Sequence, residues 1–179
     1  RVVNRWGPRQ AIRAGMALVP EDRLSKALLA NRSIAWNVAM PYWKHLSSRF
    51  SIGRREAKLG REVIAELGIT APGAHTLVEH LSGGNKQKVS IGRWLGAHAA
   101  ARIFLFDEPT QGLDVGARSG VYRLMRTLAE NGASIVVASS DLEEVLAISD
   151  DVVVIKNGIT TVLNDNGSRE AAVVLAAAT

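Results

Sequence analysis

The chain has 179 residues, enough for about one domain with a true hydrophobic core. Hydrophobic residues make up 47% and charged residues 22%, the balance of an ordinary globular protein. It contains no cysteine, which excludes disulfides, thiolate chemistry and cysteine-based zinc sites.

No apolar run approaches the roughly 18 residues that a membrane helix needs. The longest, Ala171 to Ala178, is short and rich in alanine. The start, Arg1-Val2-Val3-Asn4-Arg5, has no secretory pattern and opens on Arg rather than Met. The expectation is a cytoplasmic chain that begins inside a longer protein. The net charge of +5 is uneven: residues 1–61 carry 13 basic and 3 acidic side chains, the remainder 9 basic and 14 acidic. A basic first third can face nucleic acid or anionic lipid. Scattered charges without interleaved aromatics read better as a solvated face. Trp6, Trp36, Trp43 and Trp94 are spaced for packing rather than for base stacking.

In chain order, Pro8 to Ala14 reads as a helix, and Met16 to Val19, between Gly15 and Pro20, as a buried strand. Ser33 to Met40 is a short helix with Ser33 as its cap, ending at Pro41. Arg54 to Leu67 is helical, with Leu59, Val63 and Leu67 on one face and Gly68 as its stop. A helix runs from the Ser82-Gly83-Gly84 turn to about His98, and Ile103 to Phe106 is an apolar strand. The next helix buries Val121, Leu124, Met125 and Leu128 and stops at Asn131-Gly132. Ser134 to Ala138 is a strand and Asp141 to Ile148 a helix. Val152 to Ile155 and Ile159 to Leu163 flank an Asn157-Gly158 hairpin turn. Arg169 to Ala178 reads as a last helix that packs on the sheet.

Strands alternating with helices predict an α/β fold with a mostly parallel sheet. The stretch from Asp22 to His98 supplies helices only, which predicts a helical lobe inserted into that core.

Two features carry chemistry. The strand Phe104-Leu105-Phe106 ends in Asp107-Glu108, at the carboxyl edge where open α/β sheets bind ligands. Nucleotide hydrolysis needs one carboxylate for Mg²⁺ and another group to orient water. Such a strand end also arises by chance. Leu81-Ser82-Gly83-Gly84-Asn85 opens a helix with Lys86, Gln87 and Lys88 in its first turn. Free amides and the helix dipole attract phosphate there, while a plain Ser-capped helix gives the same tetrapeptide. The order of the two features, followed by Gly112-Leu113-Asp114, decides between these readings.

Together these residues resemble the ATP-binding cassette (ABC) ATPase family. Leu81 to Asn85 resembles its signature motif, Phe104 to Glu108 its Walker B strand, and Gly112-Leu113-Asp114 its D-loop. The likeness is nearest to the second ATPase half of ribose- and galactose-type sugar importers. It is carried by Pro8 to Gly15, Val19-Pro20-Glu21-Asp22-Arg23, Asp107 to Ala117 and Ser139-Ser140-Asp141-Leu142. The resemblance implies a P-loop NTPase-like partial ABC ATPase domain over 1–179, with a core lobe of 1–22 and 99–179 and a helical lobe of 23–98.

It also implies ATP and Mg²⁺ as cofactors and these roles. Glu108 would be catalytic and Asp107 would serve the metal. Ser82, Gly83, Gly84, Asn85 and Gln87 would meet nucleotide, and Asp114 would lie in the D-loop. Glu21 takes the place of the usual Q-loop Gln, and Ser140 that of the switch His. The implied partners are a second ATPase half, a transmembrane permease and, indirectly, a periplasmic sugar-binding protein, at the cytoplasmic face of the inner membrane; no nucleic acid is implied. His45, His75, His80 and His98 are expected on the surface or in the lobe.

The phosphate loop Gly-x-x-x-x-Gly-Lys-Ser/Thr does not occur, and none of the six lysines follows a glycine. The chain as it stands is therefore expected to bind ATP weakly. A soluble ABC protein acting on nucleic acid or ribosomes, and a non-catalytic regulatory cassette, stay open as alternatives.

Overall fold

The computed structural model describes residues 6–43, 52–95 and 101–163. The chain forms two compact units, Arg1–Ala138 and Ser139–Thr179.

In the first unit, helix α1 (Pro8–Arg13) leads into strand β1 (Met16–Val19). β1 pairs in parallel with β2 (Ile103–Asp107), which pairs in parallel with β3 (Ser134–Ala138). Period-two alternation divides the side chains between the faces. Ala17, Val19, Phe104 and Phe106 are buried on one face, and the two phenyl rings stack with centroids 6.1 Å apart. Leu18 and Val136 lie on the other face, each 54% exposed. Helix α6 (Val115–Glu130) lies against β3 and buries Val121 and Met125. It stops before Gly132, which adopts φ +86°.

Between β1 and β2 the described segments contain helices and turns, with one isolated antiparallel bridge between Ser33 and Leu77. They are α2 (Arg23–Lys26), α3 (Ile34–Ala39), α4 (Ile52–Glu66) and α5 (Gly83–Gly92). Ser33 caps α3 by accepting from the Trp36 amide, and Pro41 sits in the 3₁₀ turn that follows. Helix α2 had no signal in the apolar pattern, because four residues present no periodic face. Regular α5 ends at Gly92, well before His98, where the chain tightens into 3₁₀-type bonds from Trp94 to Ile91 and from Leu95 to Gly92. His98 and His45 lie outside the described residues, while His75 and His80 are exposed. Trp36 and Trp43 pack edge-to-face at 4.6 Å within this region, whereas Trp6 is exposed.

Ile34, Val38, Val63, Leu67, Val78 and Val89 form the core of these helices. The helices come close because two of them present glycine at the contact. A Cβ on Gly92 would lie 2.4 Å from Val63 Cγ1, and one on Gly60 would lie 2.9 Å from the Ala35 Cα.

Fully buried Asn37 organises the loop before α3. Its Nδ2 donates to the carbonyls of Leu29 (3.0 Å), Arg32 (3.4 Å) and Ser33 (3.0 Å), and its Oδ1 accepts from the Leu29 amide (2.8 Å). Removing one partner of a buried network leaves the others desolvated and unpaired. Asn37→Ala is therefore expected to cost about 2–4 kcal/mol in urea unfolding. A loss below about 1 kcal/mol would contradict this account.

In the second unit, α7 (Leu142–Ile148) is capped by Asp141. Strands β4 (Val152–Lys156) and β5 (Ile159–Leu163) form an antiparallel hairpin. Asn157 and Gly158 have φ +50° and +79°, as a type I′ turn requires. The last helix read from sequence, Arg169 to Ala178, lies outside the described residues. Among the described residues, no helix is long and apolar enough to cross a membrane.

Candidate functional site

Parallel pairing puts the ends of β1 and β2 at one edge of the sheet, so Glu21 and the Asp107-Glu108 pair follow neighbouring strands. Asp107 is exposed and Glu108 half-buried. Glu108 has φ +45°, a left-handed conformation that is uncommon for a residue with a side chain. Its amide donates to the Ala138 carbonyl at 2.9 Å, and its carbonyl accepts from the Gln111 amide at 3.2 Å. Such backbone strain persists only where its surroundings over-determine it, and it gathers at functional sites.

The loop continues through buried Thr110 and through Gly112 at φ +69°. Asp114 then caps α6, its Oδ1 accepting from the Ala117 amide at 2.9 Å.

Ser82 caps α5 and is exposed; Gly83 and Asn85 are half-buried; Gly84 and Gln87 are buried. Asn85 Nδ2 donates to Ser82 Oγ (3.1 Å) and to the Thr70 carbonyl (3.3 Å), and Oδ1 accepts from the Thr70 amide (3.1 Å). Lys88 Nζ donates to the Gly68 carbonyl at 2.8 Å. These bonds pin the start of α5 to the end of α4. Ser82 Oγ accepts twice in this network, and among the described residues its hydroxyl proton is not donated to another group. Gln87 Oε1 is a buried acceptor without a hydrogen-bond partner among the described residues.

The Ser82-Gly83-Gly84 turn and the Gly112-Leu113-Asp114 loop come together. A Cβ on Gly83 would lie 3.1 Å from Leu113 Cδ2 and 3.3 Å from Arg23 Nη2, and one on Gly84 would lie 2.8 Å from Ala117 Cβ. Arg23 Nη1 donates to the Gln111 carbonyl at 3.4 Å. Burial lowers the Arg23 pKa from its usual value, against a smaller raising effect from Asp22. Glu21 is tied to this group through the Arg23 amide, which donates to the Glu21 carbonyl at 3.1 Å.

Ser140 lies in the second unit and is exposed. Beside it, Ser139 Oγ donates to buried Glu144 at 2.5 Å and accepts from the Asp141 amide at 3.1 Å. That pair of bonds fixes the backbone on both sides of Ser140. Among the described residues, no group of three or more His, Cys, Asp or Glu side chains could hold a metal ion.

The chain matches a ribose import ATP-binding protein of Burkholderia thailandensis at 42% identity, over all of this chain and 35% of that protein. An arabinose import ATP-binding protein of Rhizobium meliloti is 41% identical over 96% of this chain and 34% of its own length. One from Burkholderia cenocepacia is 44% identical over 84% of this chain and 29% of its own. A chain of a transporter described as of metal-chelate ABC type, in an inward-facing conformation, superposes with a TM-score of 0.72. It is 21% identical and is matched over 90% of this chain and 63% of its own, a likeness of fold. The chain belongs to the ABC ATPase family. No family model matches it. The chain spans about a third of the length of the curated relatives it matches.

In this ABC ATPase chain, Arg23 and Ala117 join the site without having been singled out as site residues. Arg23 stands inside a stretch that carried the resemblance, yet nothing local says that its side chain crosses to residue 111. Ala117 is an ordinary helix residue until α5 and α6 are seen to meet at it.

Proposed function

We propose that the chain is part of the ATP-hydrolysing subunit of a sugar importer, acting at the cytoplasmic face of the membrane beside a permease. The observation that carries this is the contact between the Ser82-Gly83-Gly84 turn and the 110–114 loop. On this reading it brings two interface motifs together, in a chain that is 42% identical throughout to a ribose import ATP-binding protein. We read 23–98 as the helical lobe and 1–22 with 99–179 as the core lobe.

On this reading Ser82 and the amides of the Gly83-Gly84 turn meet the outer phosphate of ATP presented by a second ATPase half. Glu108, held at the sheet edge, orients water for this half's own nucleotide. Asp107 would hold Mg²⁺, directly or through water. Bound Mg²⁺ neutralises charge on the phosphates. Ser140 cannot become a cation as a histidine can, so Glu108 works without that companion. Asn85 fits a supporting role, because its amide is already spent on Thr70 and Ser82. Asp114 shapes the D-loop by capping α6. Glu21 and the lobe face the permease; a periplasmic sugar-binding protein acts only through that permease.

The test is ATP turnover by the full-length subunit assembled with its permease. Ser82 and Gly84 serve the site completed with the partner, whereas Glu108 serves a site without the switch histidine. Replacing Ser82 or Gly84 is therefore expected to lower turnover more than Glu108→Gln. Equal losses would sink the assignment of the two sites.

A further inference from the structure

Among the described residues, Arg23 has contacts to three segments of the candidate site in the first unit: Glu21, the 110–114 loop and the Ser82-Gly83-Gly84 turn. Its amide is bonded to the Glu21 carbonyl, and its own carbonyl accepts from Ala27 (3.1 Å) and Leu28 (2.7 Å). Leu28 is 3% exposed and belongs to the helical core, so the backbone at 23 is fixed to both the Glu21 segment and the lobe. The side chain then leaves α2 and crosses 88 positions of sequence to the Gln111 carbonyl. Its other terminal nitrogen, Nη2, lies 3.3 Å from where a Cβ on Gly83 would stand.

We propose that Arg23 is a positioning residue, a tether through which displacement of the Glu21 segment is passed to the 110–114 loop and the Ser82-Gly83-Gly84 turn. The role rests on the transport ATPase reading given above.

The physical argument has two parts. A guanidinium holds several donors in one rigid plane, so a single side chain can fix two loops relative to each other, which a flexible ammonium does poorly. Partial burial removes some of the water from this guanidinium, and a charge-assisted hydrogen bond gains strength where water competes less. The loop it holds turns through Gly112 in the left-handed region and is closed by bonds from the Gln111 amide to the Glu108 carbonyl and from the Leu113 amide to the Thr110 carbonyl.

The test uses the full-length subunit with its permease in proteoliposomes, comparing wild type with Arg23→Met and Arg23→Lys. Two readouts are taken: amide hydrogen exchange over 110–114 and 82–85, and the kcat and KM of ATP hydrolysis. Arg23→Met is expected to speed exchange in both segments and to lower kcat about tenfold, the size of one charge-assisted hydrogen bond. KM for ATP should stay within about twofold, and Arg23→Lys should recover part of kcat. Unchanged exchange, unchanged kcat, or a loss confined to KM would each overturn the proposal. A wild-type assembly without ATP turnover would overturn the transport reading and the coupling role with it. Loosened exchange in Arg23→Met would then still mark Arg23 as the tether.

Discussion

Gly84→Ala is expected to lower the melting temperature of the chain by about 3 °C, and adding Ala117→Gly to recover most of that loss. The new methyl would sit 2.8 Å from Ala117 Cβ, nearer than two carbons can approach. Ala117 is held on α6 by the Asp114 cap, so relief requires a helix to shift rather than a side chain to rotate. Overpacking of this kind costs about 1–3 kcal/mol, and the gain in helix propensity on losing a glycine returns about 1 kcal/mol. Ala117→Gly alone costs about 1 kcal/mol in propensity, so independent sites would add their losses. Exchanging the two methyls instead keeps one at the crossing, and the double variant is expected near wild type. Additive losses would show that the helices do not meet as described. Turnover of the double variant in the full-length protein then separates two demands on Gly84. Recovery would assign its role to packing, and continued loss to the approach of phosphate.

A second packing effect is expected at Gly60, with a matched control in the same helix. A Cβ at Gly60 would lie 2.9 Å from both Cα and Cβ of Ala35 and 3.1 Å from Ala74 Cβ. The first of these is backbone, and both alanines are buried, so α3 and α4 must separate. Gly60→Ala is expected to cost about 1–2 kcal/mol after the propensity gain. Gly53, also in α4, has no heavy atom within 4 Å of its would-be Cβ among the described residues. Gly53→Ala is accordingly expected to stabilise by roughly 0.5 kcal/mol. The same substitution in one helix thus carries opposite signs, readable as two melting curves. A Gly60→Ala curve at or above that of Gly53→Ala would refute the close packing of α3 on α4.

The parts of this fold that repeat were legible from residues alone. β1, β2 and β3 are apolar runs bounded by Gly, Pro or acids, and α6 keeps a helical stripe up to its glycine stop. The Asn157-Gly158 hairpin is set by two residues that tolerate positive φ. The candidate site was legible as motifs, because Ser82-Gly83-Gly84 and Asp107-Glu108 stand out by residue type and order. What could not be read was set by contacts between distant segments. Arg23 and Gln111 meet only after a whole lobe has folded between them, and Gly84 owes part of its identity to Ala117. Asn85 is the converse case: its place in a nucleotide motif gave no hint that Thr70 engages its amide on both sides.

The three-stranded sheet has a practical consequence. Among the described residues β3 has a ladder partner only in β2, and Leu18 and Val136 leave half of their surfaces to solvent. An open strand border beside oily side chains is a template for sticking to copies of itself. A preparation of this stretch by itself therefore carries a built-in tendency to clump, and dilution or added surface charge is the remedy that follows from its geometry.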